Sequence, residues 1–391
     1  MGIRRIIKKS SLSLLLVMLA VSQNATSQEA IENNDIVIGK THTIESKILS
    51  EERTISVVLP IGYQDNDFSY PVAYVLDGNF VTRLMYASST MEHLDGLGKV
   101  PQMIIIGIDT PNTRRDYFPT ELERRPGSGQ ADNFIKFISD ELKPWVDSNY
   151  RTEPFNILCG ASNSGLLTVY TYLTKPDIFS AYLAGSPSIG WCKEFILEKI
   201  SERFTKDIQT APAIYMNYAT DDIESIVLSA MPDFVSSLET NIPKQIRWKM
   251  EILENAGHVP FVSFYNGLEF IFPDWKFPKD NMTENVLDGL RSHSDYLEEK
   301  YGFSHRIPSG ELTDLGGGYF REENWQKAID VFRVYSMEYP NSERAQYYLG
   351  ETFRRNSEID SAVVYFEKTL ELDPDFTRAK EKLEEIRSTS N

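Results

Sequence analysis

Residues 155–170 (FNILCGASNSGLLTVY) constrain the fold more than any other stretch. Phe155, Ile157 and Leu158 form a short apolar run that stops at Gly160, and Leu166, Leu167, Val169 and Tyr170 then follow at helical spacing. The pattern predicts a buried strand, a tight turn and a helix. Ser162 stands at the apex between small residues, where a strained strand-to-helix turn pushes a hydroxyl clear of the backbone as a nucleophile. Ser164 takes the place of the second glycine in a G-x-S-x-G pattern. A serine is still small enough to let helix and strand pack closely. An ordinary strand-to-helix turn accounts for the same residues, so the motif needs partners.

Later strands supply them. Residues 213–218 (AIYMNY) read as a strand followed by Ala219, Thr220, Asp221 and Asp222. Residues 246–253 (IRWKMEIL) alternate apolar and polar, and are followed by Glu254, Asn255, Ala256, Gly257 and His258. Of five histidines, His258 alone falls at a strand end in the order serine, acid, histidine that α/β-hydrolases use.

Several further segments extend the likeness: 71–78 (PVAYVLDG), 114–120 (RRDYFPT), 174–179 (TKPDIF), 184–188 (AGSPS) and 266–272 (NGLEFIF). Together with the serine turn they resemble the esterase D family of α/β-hydrolases over residues 41–275. That family includes carboxylesterases, siderophore esterases and mycolyl-transferase relatives. The resemblance implies a Ser162, Asp222, His258 triad, the acid being counted three residues on from Ala219, with Asp221 and Glu224 as alternatives. It also implies an oxyanion hole made by the N–H of Asn79, after the strand at 70–76, and the N–H of Asn163. A plain Asp-Gly turn at 77–78 reads equally well from the residues alone. Two departures stand out: Ser164 for glycine, and His258-Val259-Pro260, where the family usually has an extra small residue or two before Val-Pro.

The first residues read as an address. Arg4, Arg5, Lys8 and Lys9 precede the apolar residues 12–21, and Ala25-Thr26-Ser27 offers a cleavage site. Such a run is too short for the roughly 20 residues a bilayer-spanning helix needs. The expected chain is exported, periplasmic or secreted, without a stable membrane anchor. A formal charge of −17 argues against nucleic acid as a partner, because phosphate backbones demand clustered Lys and Arg. Cys159 and Cys192 are the only cysteines. They pair if the compartment is oxidising, or Cys159 is simply a small buried hydrophobe.

Residues 103–108 (MIIIGI) read as a central strand, 109–130 as a long charged loop, 130–146 as an amphipathic helix, and 226–238 as a helix bent at Pro232. Two guanidinium pairs in that loop, Arg114 with Arg115 and Arg124 with Arg125, could hold an acidic or polyhydroxyl substrate, and Asp77 beside the sheet is a further candidate substrate contact. A solvated loop with Asp116 paired locally is the alternative. No HExxH or GxxxxGK pattern occurs, so no metal and no cofactor is expected.

After residue 278 the pattern changes. Leu315, Gly316 and Tyr319 recur as Leu349, Gly350 and Phe353, Ala328 as Ala362, Phe332 as Phe366, and Pro340 as Pro374, always 34 residues apart. This is the tetratricopeptide period. The fold expected is thus α/β, an α/β-hydrolase doubly wound sheet followed by a small all-α tetratricopeptide-repeat domain. Its divisions are a signal peptide at 1–27, the esterase domain at 28–278, a helical connector at 279–310 and repeats at 311–391. The function expected is serine hydrolysis of a small-molecule carboxylic ester, with a protein or peptide partner at the repeats. The rivals are acyl transfer by the same triad and a binding protein whose hydrolase fold has lost activity.

Overall fold

Ser162, Asp222 and His258 each follow a strand of a single mixed sheet, in a computed structural model that describes residues 37–389 except 206–207, 209, 260–261 and 279–285. The strands are β1 (Lys40–Ser46), β2 (Glu51–Val58), β3 (Tyr70–Leu76), β4 (Ile104–Ile108), β5 (Thr152–Ala161), β6 (Ala181–Gly185), β7 (Ala213–Ala219) and β8 (Trp248–Leu253). Their spatial order is β1-β2-β4-β3-β5-β6-β7-β8. The β1–β2 and β2–β4 pairs are antiparallel and the remaining pairs are parallel. Strands β3, β4 and β6 are buried at every residue, as strands covered on both faces must be, whereas edge strand β1 alternates exposed and buried positions. These runs explain why the central strands are the most legible elements of the sequence.

The helices of the α/β region are α1 (Val81–Gly96), α2 (Thr113–Tyr117), α3 (Ala131–Phe137), α4 (Lys143–Asn149), α5 (Asn163–Thr174), α6 (Lys193–Phe204), α7 (Ser225–Leu228), α8 (Met231–Asn241) and α9 (Val262–Ile271). Helix α5 packs on the face that carries Gly160, where an added Cβ would lie 2.5 Å from Thr168 Oγ1. Helices α1 and α9 cover the other face: a Cβ at Gly107 would meet Leu84, and one at Gly267 would meet Leu183. Helices therefore flank both sides of the sheet.

Two local expectations change. Residues 109–130 are not wholly irregular, because Asn112 accepts the Arg115 N–H and starts the short helix α2. Residues 226–238 are not one bent helix. The chain breaks after α7 and restarts at α8 with Pro232 in the first turn, where its missing N–H costs nothing.

The C-terminal region is helical: α10 (Val286–Tyr301), α11 (Ser309–Arg321), α12 (Trp325–Glu338), α13 (Glu343–Arg355), α14 (Ile359–Leu372) and α15 (Thr377–Thr389). A Cβ on Gly316 would press on the Phe332 ring at 2.5 Å, and one on Gly350 would press on Phe366 at 3.0 Å. Ala328 and Ala362 are both fully buried. The same small-against-aromatic contact thus recurs in consecutive helix pairs. The described residues from 39 onward form one compact unit. Phe155 on β5, Phe272 and Trp275 after α9, Tyr301 at the end of α10 and Phe303 after it share an aromatic cluster with centroid distances of 5.1–5.7 Å for its closest pairs. Both cysteines are buried and free.

Candidate active site

In open α/β sheets, ligands bind beyond the carboxyl ends of the strands, where successive connections leave in opposite directions. Here that place lies between β3 and β5, since β4 sits on one side of β3 and β5 on the other. Ser162 follows β5 with φ 59° and ψ −120°, in the left-handed half of backbone space that a non-glycine residue occupies only under constraint. Its N–H donates to Gly185 O at 2.9 Å, and its carbonyl accepts the N–H groups of Leu166 and Ser188 at 3.0 Å. Three elements therefore hold the turn.

The loops after β6, β7 and β8 meet beside it. His258 Nδ1 lies 2.9 and 3.0 Å from the two carboxylate oxygens of Asp222, whose side chain is fully buried. A carboxylate on Nδ1 keeps the proton there and leaves the Nε2 lone pair free. Asp221 instead accepts the Gly257 N–H at 2.9 Å, bracing the histidine loop. Glu224 donates its own N–H to Asp222 Oδ1 at 2.9 Å. The next residue of the histidine loop, Val259, also has positive φ, and its N–H donates to Ser186 Oγ at 3.2 Å. Pro260 lies outside the described residues, as do residues 1–27.

Ser162 Oγ pairs with Ser188 Oγ at 3.3 Å, and among the described residues no hydrogen bond joins it to the imidazole. Asn79 lies two residues beyond Asp77 and Asn163 opens α5. Neither backbone N–H has a hydrogen-bond partner among the described residues, so both are open to a ligand oxygen. Gly78 lets β3 turn here, since a Cβ would come 2.5 Å from the Gly107 carbonyl carbon.

Three substrate-contact candidates lie elsewhere. Arg115 is spent on Glu51 and Asp116, at 2.6–3.2 Å, in a cluster with buried Arg53. Arg114 is exposed, and neither arginine lines the cavity beside His258. Asp77 is 4% exposed and faces Ser164, Tyr117 and Arg83 behind the turn. Glu51 and Asp116 already neutralise Arg115, and Arg83 already neutralises Asp77.

The sequence offered no sign of the cavity, of about 390 Å3, that opens beside His258 between α1 and α9. Val75, Cys159 and Leu183 form its floor, Phe80, Ala87 and Phe264 its walls, and Arg83 stands among them. Burial raises the Cys159 thiol far above its usual range, so it lines the cavity as an apolar group. Its walls come from helices far apart in sequence, a juxtaposition no local motif encodes.

This sheet, with loops gathered at its carboxyl edge and a helical C-terminal region, is a fold shared with esterases. A family model described as "Putative esterase" matches residues 46–224. The ferri-bacillibactin esterase BesA of Bacillus subtilis is 33% identical over 183 residues, which are 42% of this chain and 63% of BesA. The siderophore triacetylfusarinine C esterase of Aspergillus fumigatus is 29% identical over 167 residues, 38% of this chain and 56% of that one. The chain thus spans less than two thirds of the length of these relatives. Among solved structures, an IroE-like serine hydrolase from Shewanella oneidensis has a TM-score of 0.64 at 24% identity, over 76% of this chain and 98% of that one. An uncharacterised protein from Capnocytophaga ochracea gives 0.58 at 16% identity, over 90% of this chain and 99% of that one. Among the described residues, no helix is long and apolar enough to cross a membrane.

Proposed function

We propose that the chain is a serine hydrolase of carboxylic esters, and that its substrates are siderophore esters like those named for its relatives. The observation that carries this reading is the Asp222–His258 pair at the strand ends beside the strained Ser162 turn. Ser162 Oγ attacks the ester carbonyl while His258 Nε2 takes its proton, and Asp222 stabilises the resulting imidazolium. The N–H groups of Asn79 and Asn163 receive the developing oxyanion. His258 then protonates the departing alcohol, and water releases the acyl group by the same steps. The cavity beside His258 takes an apolar portion of the ester. The small-against-aromatic contacts at Gly316 and Gly350 support tetratricopeptide repeats offering a surface to a partner, and residues 4–21 support export.

A second reading, a binding protein on an inactive hydrolase fold, draws on the Ser162 hydroxyl pairing with Ser188 rather than with the imidazole. Catalytic hydrogen bonds are often long or unmade without substrate and tighten only when it binds. Turnover of p-nitrophenyl esters, triacetylfusarinine C and enterobactin decides between the two. We expect turnover and fluorophosphonate labelling in the wild type, and neither in Ser162→Ala. A folded wild type that is neither labelled nor active supports the binding protein.

A further inference from the structure

Ser164, the residue standing in for glycine, is fully buried. Its Oγ lies 2.7 Å from Asp77 Oδ2 and 2.7 Å from Ala161 O, and accepts the Ala161 N–H at 2.8 Å. One hydroxyl proton serves one strong acceptor, and a carboxylate attracts it more than a carbonyl does. Ser164 therefore donates to Asp77. The other Asp77 oxygen faces the Tyr117 hydroxyl at 3.0 Å, which is itself 2.7 Å from Thr110 Oγ1, and Arg83 forms an ion pair with Asp77. A buried carboxylate with this many partners is held in one place.

The position of that place matters. Asp77 precedes Asn79 by two residues and Ser164 follows Asn163 by one. The Ser164–Asp77 bond thus ties the loop after β3 to the first turn of α5, 87 residues apart in sequence, the two places that carry the open N–H groups. Asp77 and Ser162 both have φ 59°, a conformation that persists only where surroundings enforce it. A glycine at 164 would permit the close helix–strand approach yet supply no bond between the loops.

We propose that Ser164 and Asp77 are positioning residues that clamp the β3 loop to the serine turn, so that the N–H groups of Asn79 and Asn163 converge on one oxygen. The kinetic consequence rests on the ester-hydrolase reading; the clamp itself does not. Ser164→Ala and Ser164→Gly in the full chain test it, read by ester kinetics, by the affinity of an aryl boronic acid that mimics the tetrahedral intermediate, and by hydrogen exchange of residues 77–80. Because small displacements of oxyanion donors are costly, kcat should fall at least about tenfold and boronate affinity by a similar factor. KM should stay within about twofold, since the donors act mainly on the transition state. Phe80, whose N–H donates to Asp77 O at 3.0 Å, should exchange faster in both variants. Asp77→Asn should cause a similar loss, and combining it with Ser164→Ala should add little. A cooperatively melting Ser164→Gly variant with kcat within about twofold of wild type, or a loss carried by KM alone, overturns the proposal. If no ester is turned over, the hydrolase reading fails, and exchange still decides the clamp: unchanged exchange at the Phe80 N–H overturns it, faster exchange supports it.

Discussion

At the scale of single residues, the order serine, acid, histidine was readable because each residue ends a strand whose apolar pattern is strong. Adjacent acids were harder to separate, since Asp221 and Asp222 differ by one step in a turn and no periodicity distinguishes them. In space they do different work: Asp222 meets the imidazole, and Asp221 accepts the Gly257 N–H from the outside. Asp222→Asn offers Nδ1 an amide and favours the wrong tautomer, so kcat should drop by up to ~10⁴. Asp221→Asn keeps an oxygen for Gly257 and should cost no more than about tenfold. Paired kcat measurements on one ester check both, and the reverse ranking would move the acid by one position. The role of the Ser164 hydroxyl was hidden in the sequence because its partner, Asp77, lies 87 residues away.

At the scale of elements, β3 and β4 were legible as continuous apolar runs, and α10 falls in the stretch expected as a helical connector. Turn chemistry decided the misses: an Asn112 cap made a helix inside a supposed loop, and Pro232 began a helix where a bend was expected. The cavity between α1 and α9 belongs to neither element alone. Ala87 is 1% exposed on α1 and contributes to the cavity wall. Ala87→Trp would fill much of the space while leaving Ser162, His258 and Asp222 untouched. If the cavity holds an apolar portion of the ester, kcat/KM for bulky aryl esters should fall at least about tenfold, the worth of one or two lost methylene-sized contacts. The p-nitrophenyl acetate rate should stay within about threefold, because a methyl group does not reach the walls. Equal losses on both esters would place the substrate elsewhere.

At the scale of the whole molecule, the change in sequence character near residue 278 marks no gap in the packing. Phe155 of β5 lies in one aromatic cluster with Tyr301 and Phe303, which follow that point. Composition reveals where charge begins to dominate, but the rings that cross such a point are too scattered to read. Beside this seam a groove runs between the α/β region and helices α11–α13, and Asp95 at the end of α1 lines it. Burial pushes its carboxyl up to about 6, from an ordinary 3.8, although Gln102 donates a hydrogen bond to it at 3.0 Å. Between these values the folded chain keeps a proton that the unfolded chain has released. Raising the pH through this window therefore favours unfolding, and above about 6 the full cost of the buried charge is present. Asp95→Asn removes the charge and retains an acceptor for Gln102. Near pH 7.5 it should stabilise the chain by at most about 3 kcal/mol, the worth of two pKa units. That corresponds to a rise in Tm of several degrees for a chain of this size. The gain should shrink as pH falls through about 6 and vanish below about 4, where both forms are neutral in both states. Circular dichroism melts of wild type and variant at pH 7.5 and pH 4 test this. A variant less stable than wild type at both values would mean that the Gln102 contact, not the buried charge, governs this corner of the molecule.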